Sequence, residues 1–326
     1  MKKIIEKASE ILLKQDYSNE SIIFATKKVR ISEIIIKKIR DKNEKTISEE
    51  AWFVDGGLAL GYFTNTLLIS KIRVAGVEYS SNKKIRINTK INEFHALAYK
   101  EEQKINLIIE PDNELINSKN LNIKTETENG NSIIEFINQT RREAELKMLI
   151  NISNDEKNKE KLFVIDGPLI RESDDLELKK SILSTKHSLL GIIKSTEDST
   201  DKGRPASYAL SRQINIKEPW YCVVEEDEII SGYAKLGKHS KFVVKFQATK
   251  KTNIEQSLLI IYKLSQDPVF PGYPYGLIEA DELARISNTE KEELSSTILR
   301  ESKQSKEMEE AQEMSKPHEL LDNIKF

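Results

Sequence analysis

Cysteine is nearly absent from the chain: Cys222 is the only one in 326 residues. A lone cysteine excludes an intrachain disulfide and a cysteine-ligated zinc site, and it fits a reducing compartment. Histidine is also sparse. His95, His187, His239 and His318 are scattered and never four residues apart, so no pair suits zinc from one helix face. The chain lacks a G-x-x-x-x-G-K-[ST] loop and a G-x-G-x-x-G turn after a strand, which removes the main support for a nucleotide-binding fold. It also lacks a G-x-S-x-G elbow, the usual seat of a hydrolase serine. Aromatic residues make up 7%, with two tryptophans. No tryptophan cluster is available to stack sugars, which weighs against a carboxylate-pair glycosidase. No apolar run approaches the roughly 20 residues of a membrane span. Glu6 and Glu10 interrupt the apolar pattern after Met1-Lys2-Lys3, unlike a signal peptide. The reading is a soluble, cytoplasmic protein. Neither charge sign dominates, with 51 Lys+Arg against 53 Asp+Glu and a net charge of -2. The whole chain therefore offers no basic field to steer nucleic acid. Any such surface is local, or supplied in part by metal ions and a partner.

What is present is a globular composition, 38% hydrophobic and 32% charged. Ile4, Ile5, Ala8, Ile11 and Leu12 fall at helical spacing over 2–14, and a second helical stretch is expected over 21–40. These define a helical extension, 1–45, ahead of a main domain, 46–326. The extension carries more apolar surface than two solvated helices need, so part of it should be buried against the core, another subunit or a partner. Ala51 to Val54 reads as a short strand ending in a tight turn at Asp55-Gly56-Gly57. Further strands are expected at 61–69, 71–79, 84–89 and 105–110, then a polar insert at 111–131 and a helix at 132–152. A strand over 162–166 ends in Asp166-Gly167. A helix at 175–189, a strand at 191–194 and a surface loop at 195–205 follow. Strands at 219–225, 229–236 and 241–248, a helix at 253–265, a Pro/Gly/Tyr segment at 267–276 and closing helices complete the chain. Strands interspersed with helices, several following one another directly, predict an α/β or α+β domain with a mixed sheet.

The chemically capable groups left are carboxylates and basic side chains. Asp55 and Asp166 each follow an apolar strand and precede glycine. If the two strands share a sheet, both side chains project into one site. Carboxylates are the usual protein donors to Mg²⁺ and Mn²⁺, and paired ions of this kind hydrolyse phosphodiesters; Asp-Gly is equally good turn chemistry. On the helix at 132–152, Glu143 has Lys147 four residues on, an ordinary exposed pair. Glu145 has Met148 and Leu149 at i+3 and i+4, on the margin of the apolar face, with Arg141 and Arg142 nearby. It is favoured as a third acid. Lys194, at the end of an apolar run, could neutralise a phosphorane-like transition state or simply face solvent. Arg141, Arg142, Lys194, Lys202, Arg204 and Arg212 are the local bases expected to meet DNA.

A set of segments, in order, resembles the NurA nucleases, which partner the HerA hexameric ATPase in DNA-end processing. They are Val54-Asp55-Gly56-Gly57, the Arg-rich helix with Glu145, Phe163 to Leu169, Gly191 to Ser195, Ser231 to Leu236 with Phe242 to Phe246, and Pro271 to Ala280. The last, aromatic-proline-aromatic before Leu-Ile-Glu-Ala, is the most specific, and Pro317 to Asp322 fits as well. The resemblance covers about 50–326. It implies an RNase H-like core with a mixed sheet flanked by helices. It also implies Asp55, Glu145 and Asp166 as metal ligands, Mn²⁺ or Mg²⁺ as cofactor, a homodimer and a HerA-type ATPase partner. Tyr273 matches the family's tyrosine, and Asp281 stands where the family typically has histidine. The activity so implied is a metal-dependent DNA nuclease, a 5'-3' exonuclease with single-strand endonuclease activity besides, in DNA repair or antiviral defence. The alternative is an inactive dimeric adaptor for the ATPase.

Overall fold

Trp52 and Val54 alternate with Ala51 and Phe53, and all four are buried. A strand apolar on both sides belongs in the middle of a sheet covered on both faces, and that is where this one lies. The computed structural model describes residues 3–7, 17, 19–23, 28–40, 49–102, 104–122, 132–194, 198–238, 240 and 242–314.

Residues 3–7 are helical (α1). They are followed by β1 (Ser21–Ile23), β2 (Lys28–Arg30), a 3-10 turn at Ile31–Glu33 and β3 (Lys37–Lys38). Three long strands come next, β4 (Glu50–Phe63), β5 (Leu67–Ser80) and β6 (Ile85–Glu101), then β7 (Lys104–Glu110) and β8 (Lys119–Asn122). Helix α2 (Ser132–Ser153) leads to β9 (Leu162–Asp166), α3 (Leu176–Ser184) and β10 (Ser188–Ile193). After β11 (Ser199–Thr200) and α4 (Ala206–Gln213) come β12 (Trp220–Glu226), β13 (Ile229–Lys235) and β14 (Val244–Thr249). The chain closes with α5 (Ile254–Lys263), α6 (Tyr275–Ala284), α7 (Asn288–Glu301) and α8 (Ser305–Met314).

Among the described residues one sheet runs β3-β12-β13-β14-β10-β9-β4-β5-β6-β7-β8. β9 is parallel to β4 and β10, and the other pairs are antiparallel. The sub-order β10-β9-β4-β5-β6, with α2 between the antiparallel meander and β9, is the RNase H-like arrangement. On one face α2 and α3 cover Trp52, Val54, Ile72, Phe163 and Ile165. On the other, α5 and α6 cover Phe53, Val77, Val164, Ile192 and Phe246.

Several expectations change. The helix expected over 21–40 is absent; β1 pairs with β2 and β11 in a small second sheet, and β3 pairs with β12. Val29, Ile31, Ile34, Ile35 and Ile36 are β-branched, which disfavours helix and suits extended chain. Ile22, Ile31 and Tyr17 join a third cluster with α4 and Trp220, so part of this apolar surface is buried against the core, while Ile4, Ile5, Ile23 and Ile35 stay exposed. Of the helix expected over 2–14, residues 8–14 lie outside the described residues, as do 41–48, 123–131, 195–197 and 317–322. No turn follows Val54; β4 continues through Asp55, Gly56 and Gly57 to Phe63. The strand expected at 61–69 is split by a turn in which Leu67 N donates to Thr64 Oγ1 at 3.0 Å. β6 extends well past 89. Helix α4 was not expected.

Candidate active site

β4 and β9 hold the two aspartates at one level. The last registered pair between these parallel strands is Val54 opposite Ile165, and Asp55 and Asp166 are the next residue on each. Neighbouring strands lie about 4.8 Å apart. By alternation both carboxylates face the side of Phe53 and Val164, the side covered by α6. β9 then ends. Gly167, at φ +113°, turns the chain away, and its N–H donates to Ile192 O at 2.8 Å. β4 goes on, so from Gly56 onward its β9 side is a notch open to both faces of the sheet.

Glu145 reaches that notch from α2 on the opposite face. A Cβ at Gly56 would stand 2.5 Å from Glu145 Oε1 and 2.8 Å from its Cγ. The glycine therefore serves a close approach rather than a turn. Arg141 Nη1 donates to Glu145 Oε1 at 2.8 Å and to Gly56 O at 2.5 Å. Glu143, by contrast, pairs with Lys147 at 2.8 Å on the outer side of the helix, as its spacing predicts. From the α6 side, Tyr273 OH donates to Asp166 Oδ1 at 3.1 Å. Lys194 Nζ lies 2.5 Å from Asp166 Oδ2 and 4.7 Å from the centre of the Tyr273 ring. Asp281 is paired with Arg285 at 2.5 Å.

Burial and like charge set the electrostatics. Asp55 is pushed up to about 7, first by burial, then by the charges of Glu145 and Asp166; the Gly56 N–H, donating to Oδ1 at 2.8 Å, opposes this. Burial also raises Glu145, against Arg141, Arg142 and Arg171. It raises the Tyr273 hydroxyl too, with the Asp166 charge adding to it. Asp55 has no basic partner among the described residues.

These groups suit a hard divalent cation in chemistry: oxygen donors, an acid short of compensating charge, and positions that converge from two strands and a helix. They are not gathered into a ligand sphere. Among the described residues no three Asp, Glu, His or Cys side chains stand close enough to hold one ion together. Two of the three acids are turned onto basic partners, Glu145 onto Arg141 and Asp166 onto Lys194.

The other bases expected at DNA are placed elsewhere or committed. Arg142 is buried and doubly bonded to Asp174, at 2.7 and 2.9 Å, with Pro168 O at 2.7 Å. Arg204 pairs with the buried Glu20 and stacks over Tyr17 at 4.9 Å, and Lys202 lies 3.8 Å from the same Glu20. Arg212 is exposed on α4, which packs in the third cluster rather than beside the carboxylates. Two bases that sequence reasoning missed are near the acids. Arg171, five residues after Asp166, acts on Glu145, and Arg285 follows Asp281 by one helical turn.

A NurA domain family model matches residues 53–286, well over half the chain. The chain belongs to the NurA family of nucleases. The match contains Asp55, Glu145, Asp166, Lys194, Tyr273 and Asp281. Among solved structures, the NurA nuclease from Sulfolobus solfataricus is 13% identical with TM-score 0.53, over 91% of this chain and 92% of that one. A second NurA structure is 10% identical with TM-score 0.54, over 94% and 99%. A NurA bound to dAMP and manganese is 9% identical with TM-score 0.53, over 79% and 89%. At such identities the likeness is one of fold. No curated protein matches in sequence. As a NurA protein the chain is a phosphodiester hydrolase.

Proposed function

We propose that this NurA protein is a metal-dependent DNA nuclease in which Asp55 and Asp166, with Glu145 across the notch, hold Mn²⁺ or Mg²⁺. The observation that carries the reading is the register: two acids side by side on parallel strands, of which Asp55 is buried and has no basic partner among the described residues. The manganese in the related NurA structure supports the choice of ion. Such an ion, when bound, neutralises phosphodiester charge and activates water. To hold the ion, Glu145 would have to turn from Arg141 and Asp166 from Lys194, leaving the Lys194 ammonium available. Lys194 then faces the scissile phosphate as a charge stabiliser, while the Tyr273 hydroxyl keeps Asp166 oriented. Asp281 acts from the rim, paired with Arg285 and without the imidazole proton chemistry of the family's usual histidine.

The same reading extends to cleavage at DNA ends, 5'-3' in direction and with endonuclease activity on single strands, by a homodimer that receives DNA from a HerA-type hexameric ATPase. A role in repair or in defence against foreign DNA fits equally. The pairing of two acids with basic side chains favours one competing reading, an inactive dimeric adaptor for the ATPase. Labelled single- and double-stranded DNA, with Mn²⁺, Mg²⁺ or chelator, separates the two. A nuclease cleaves with either ion, stops with chelator, and is silenced by Asp55→Ala or Asp166→Ala with the fold intact. Full cleavage by either variant, or none by the wild type with any metal, overturns the assignment.

A further inference from the structure

Beside the acids lies a cleft of different chemistry, about 430 Å³ in volume, within the range of small-ligand pockets. Lys194, Tyr273 and Asp281 form its inner wall, shared with the carboxylate site, and Arg285 lies at its rim. Its outer walls are Phe242 and Phe270, 71% and 51% exposed. Two solvated phenyl rings in one cleft gain nothing for the fold where they stand.

Described residues beside each ring are nevertheless tied together. A Cβ on Gly237 would lie 3.1 Å from Gly272 Cα, so the two backbones are in contact. Gln266 Nε2 donates to Leu236 O at 3.1 Å, Phe242 N to Ser240 Oγ at 3.0 Å, and Gly272 N to Ser265 O at 2.9 Å. Preformed aromatic walls lower the ordering cost of a planar ligand.

We infer that this cleft takes the nucleobase next to the scissile phosphodiester and stacks it on Phe242 and Phe270. The inference rests on the nuclease reading. Continuity with the acids selects this occupant: a phosphate at Asp55 and Asp166 delivers its own nucleoside to the adjoining wall, and Lys194 and Arg285 flank the path of the backbone. Every base has a π face, so the pocket grips a strand without reading its sequence.

The test is binding of an end-labelled single strand to the full chain in chelator, comparing a normal terminal nucleotide with an abasic one. The wild type is expected to bind the normal end about ten-fold more tightly, the size of one lost base stack. Phe242→Ala and Phe270→Ala are expected to lose that preference while binding the abasic end as the wild type does, and Phe242→Tyr to retain it. Both rings are exposed, so the alanine variants fold. Equal wild-type affinity for the two ends, or an equal loss on both in the variants, overturns the proposal. So does dissociation of an oligomer by the same variants with no change in DNA preference, which makes the cleft a contact between copies. The base preference without metal-dependent cleavage leaves the pocket standing and removes the nuclease reading instead.

Discussion

Asp55 is held under four unfavourable influences at once: burial and the charges of Glu145, Asp166 and Asp281. Its ordinary value of 3.8 rises to about 7, so between those limits the folded chain keeps a proton that the unfolded chain has lost. Stability therefore falls as pH rises from about 4 to about 7, and the deficit levels off above, at no more than about 4 kcal/mol. Asp55→Asn removes the ionisation. In chelator, its Tm should overtake the wild type's progressively across that window, and Mn²⁺ should narrow the gap by stabilising the ionised wild type. A constant difference in Tm across the window would show that Asp55 titrates normally. Glu145 and Glu143 give a second comparison on one helix. The first is buried at the notch, and the second sits in an outer pair with Lys147. Glu145→Gln should reduce cleavage at least 100-fold, a loss of the size that follows removal of one catalytic stabilising group. Glu143→Gln should leave it within about two-fold, since Glu143 pairs with Lys147 rather than with the groups at the notch. The reverse order in kcat would sink the notch geometry.

Elements meet at the site through glycines, and Gly56 and Gly57 in β4 act on opposite faces. A Cβ on Gly57 would strike the backbone carbonyl of Ala284 at the end of α6, and one on Gly276 would strike the Phe53 ring. One on Gly56 would strike only the Glu145 side chain. Gly57→Ala should therefore cost stability, about 1–3 kcal/mol as for other overpacked sites. Gly56→Ala should cost activity by displacing Glu145, with a smaller fall in Tm. Thermal melts and cleavage rates on the two variants check this, and equal effects on both quantities would refute the division. These glycines also explain how much was legible beforehand. Asp-Gly-Gly reads as a turn, and only the tertiary approach of α2 and α6 reveals that it is strand. The placement of Asp55 and Asp166 at strand level was legible because the apolar runs before them mark strands whatever follows. Glu145 was separable from Glu143 because helical spacing alone puts Lys147 beside Glu143. The segment 21–40 was misread because its isoleucines fit a helical period, while their partners, β11 and β12, lie some 180 residues away. Helix α4 has eight residues and no side-chain cap at Pro205, so no local signal announced it.

At the scale of the whole molecule, a net charge of -2 leaves DNA affinity to cations placed locally beside the acids. Glu20 is fully buried and draws Arg204 and Lys202, so those two compensate an internal charge. Arg142 does the same for Asp174. Lys194 and Arg285 are different: their partners, Asp166 and Asp281, keep some exposure and lie at the candidate site rather than in the interior. Each phosphate neutralised on a single strand contributes about 0.7 to the slope of log affinity against log salt. Lys194→Gln with Arg285→Gln should flatten that slope by about 1.4, measured by fluorescence anisotropy in chelator. Lys202→Gln with Arg204→Gln should leave the slope unchanged and lower Tm instead, because Glu20 is then buried without its partners. An unchanged slope in the first pair and a flattened one in the second would move the DNA path to the small sheet of β1, β2 and β11. With only these two cations at the site, binding by charge should be weak and its salt dependence shallow. The ATPase ring of the proposed function, delivering the strand mechanically rather than by charge, would offset that weakness.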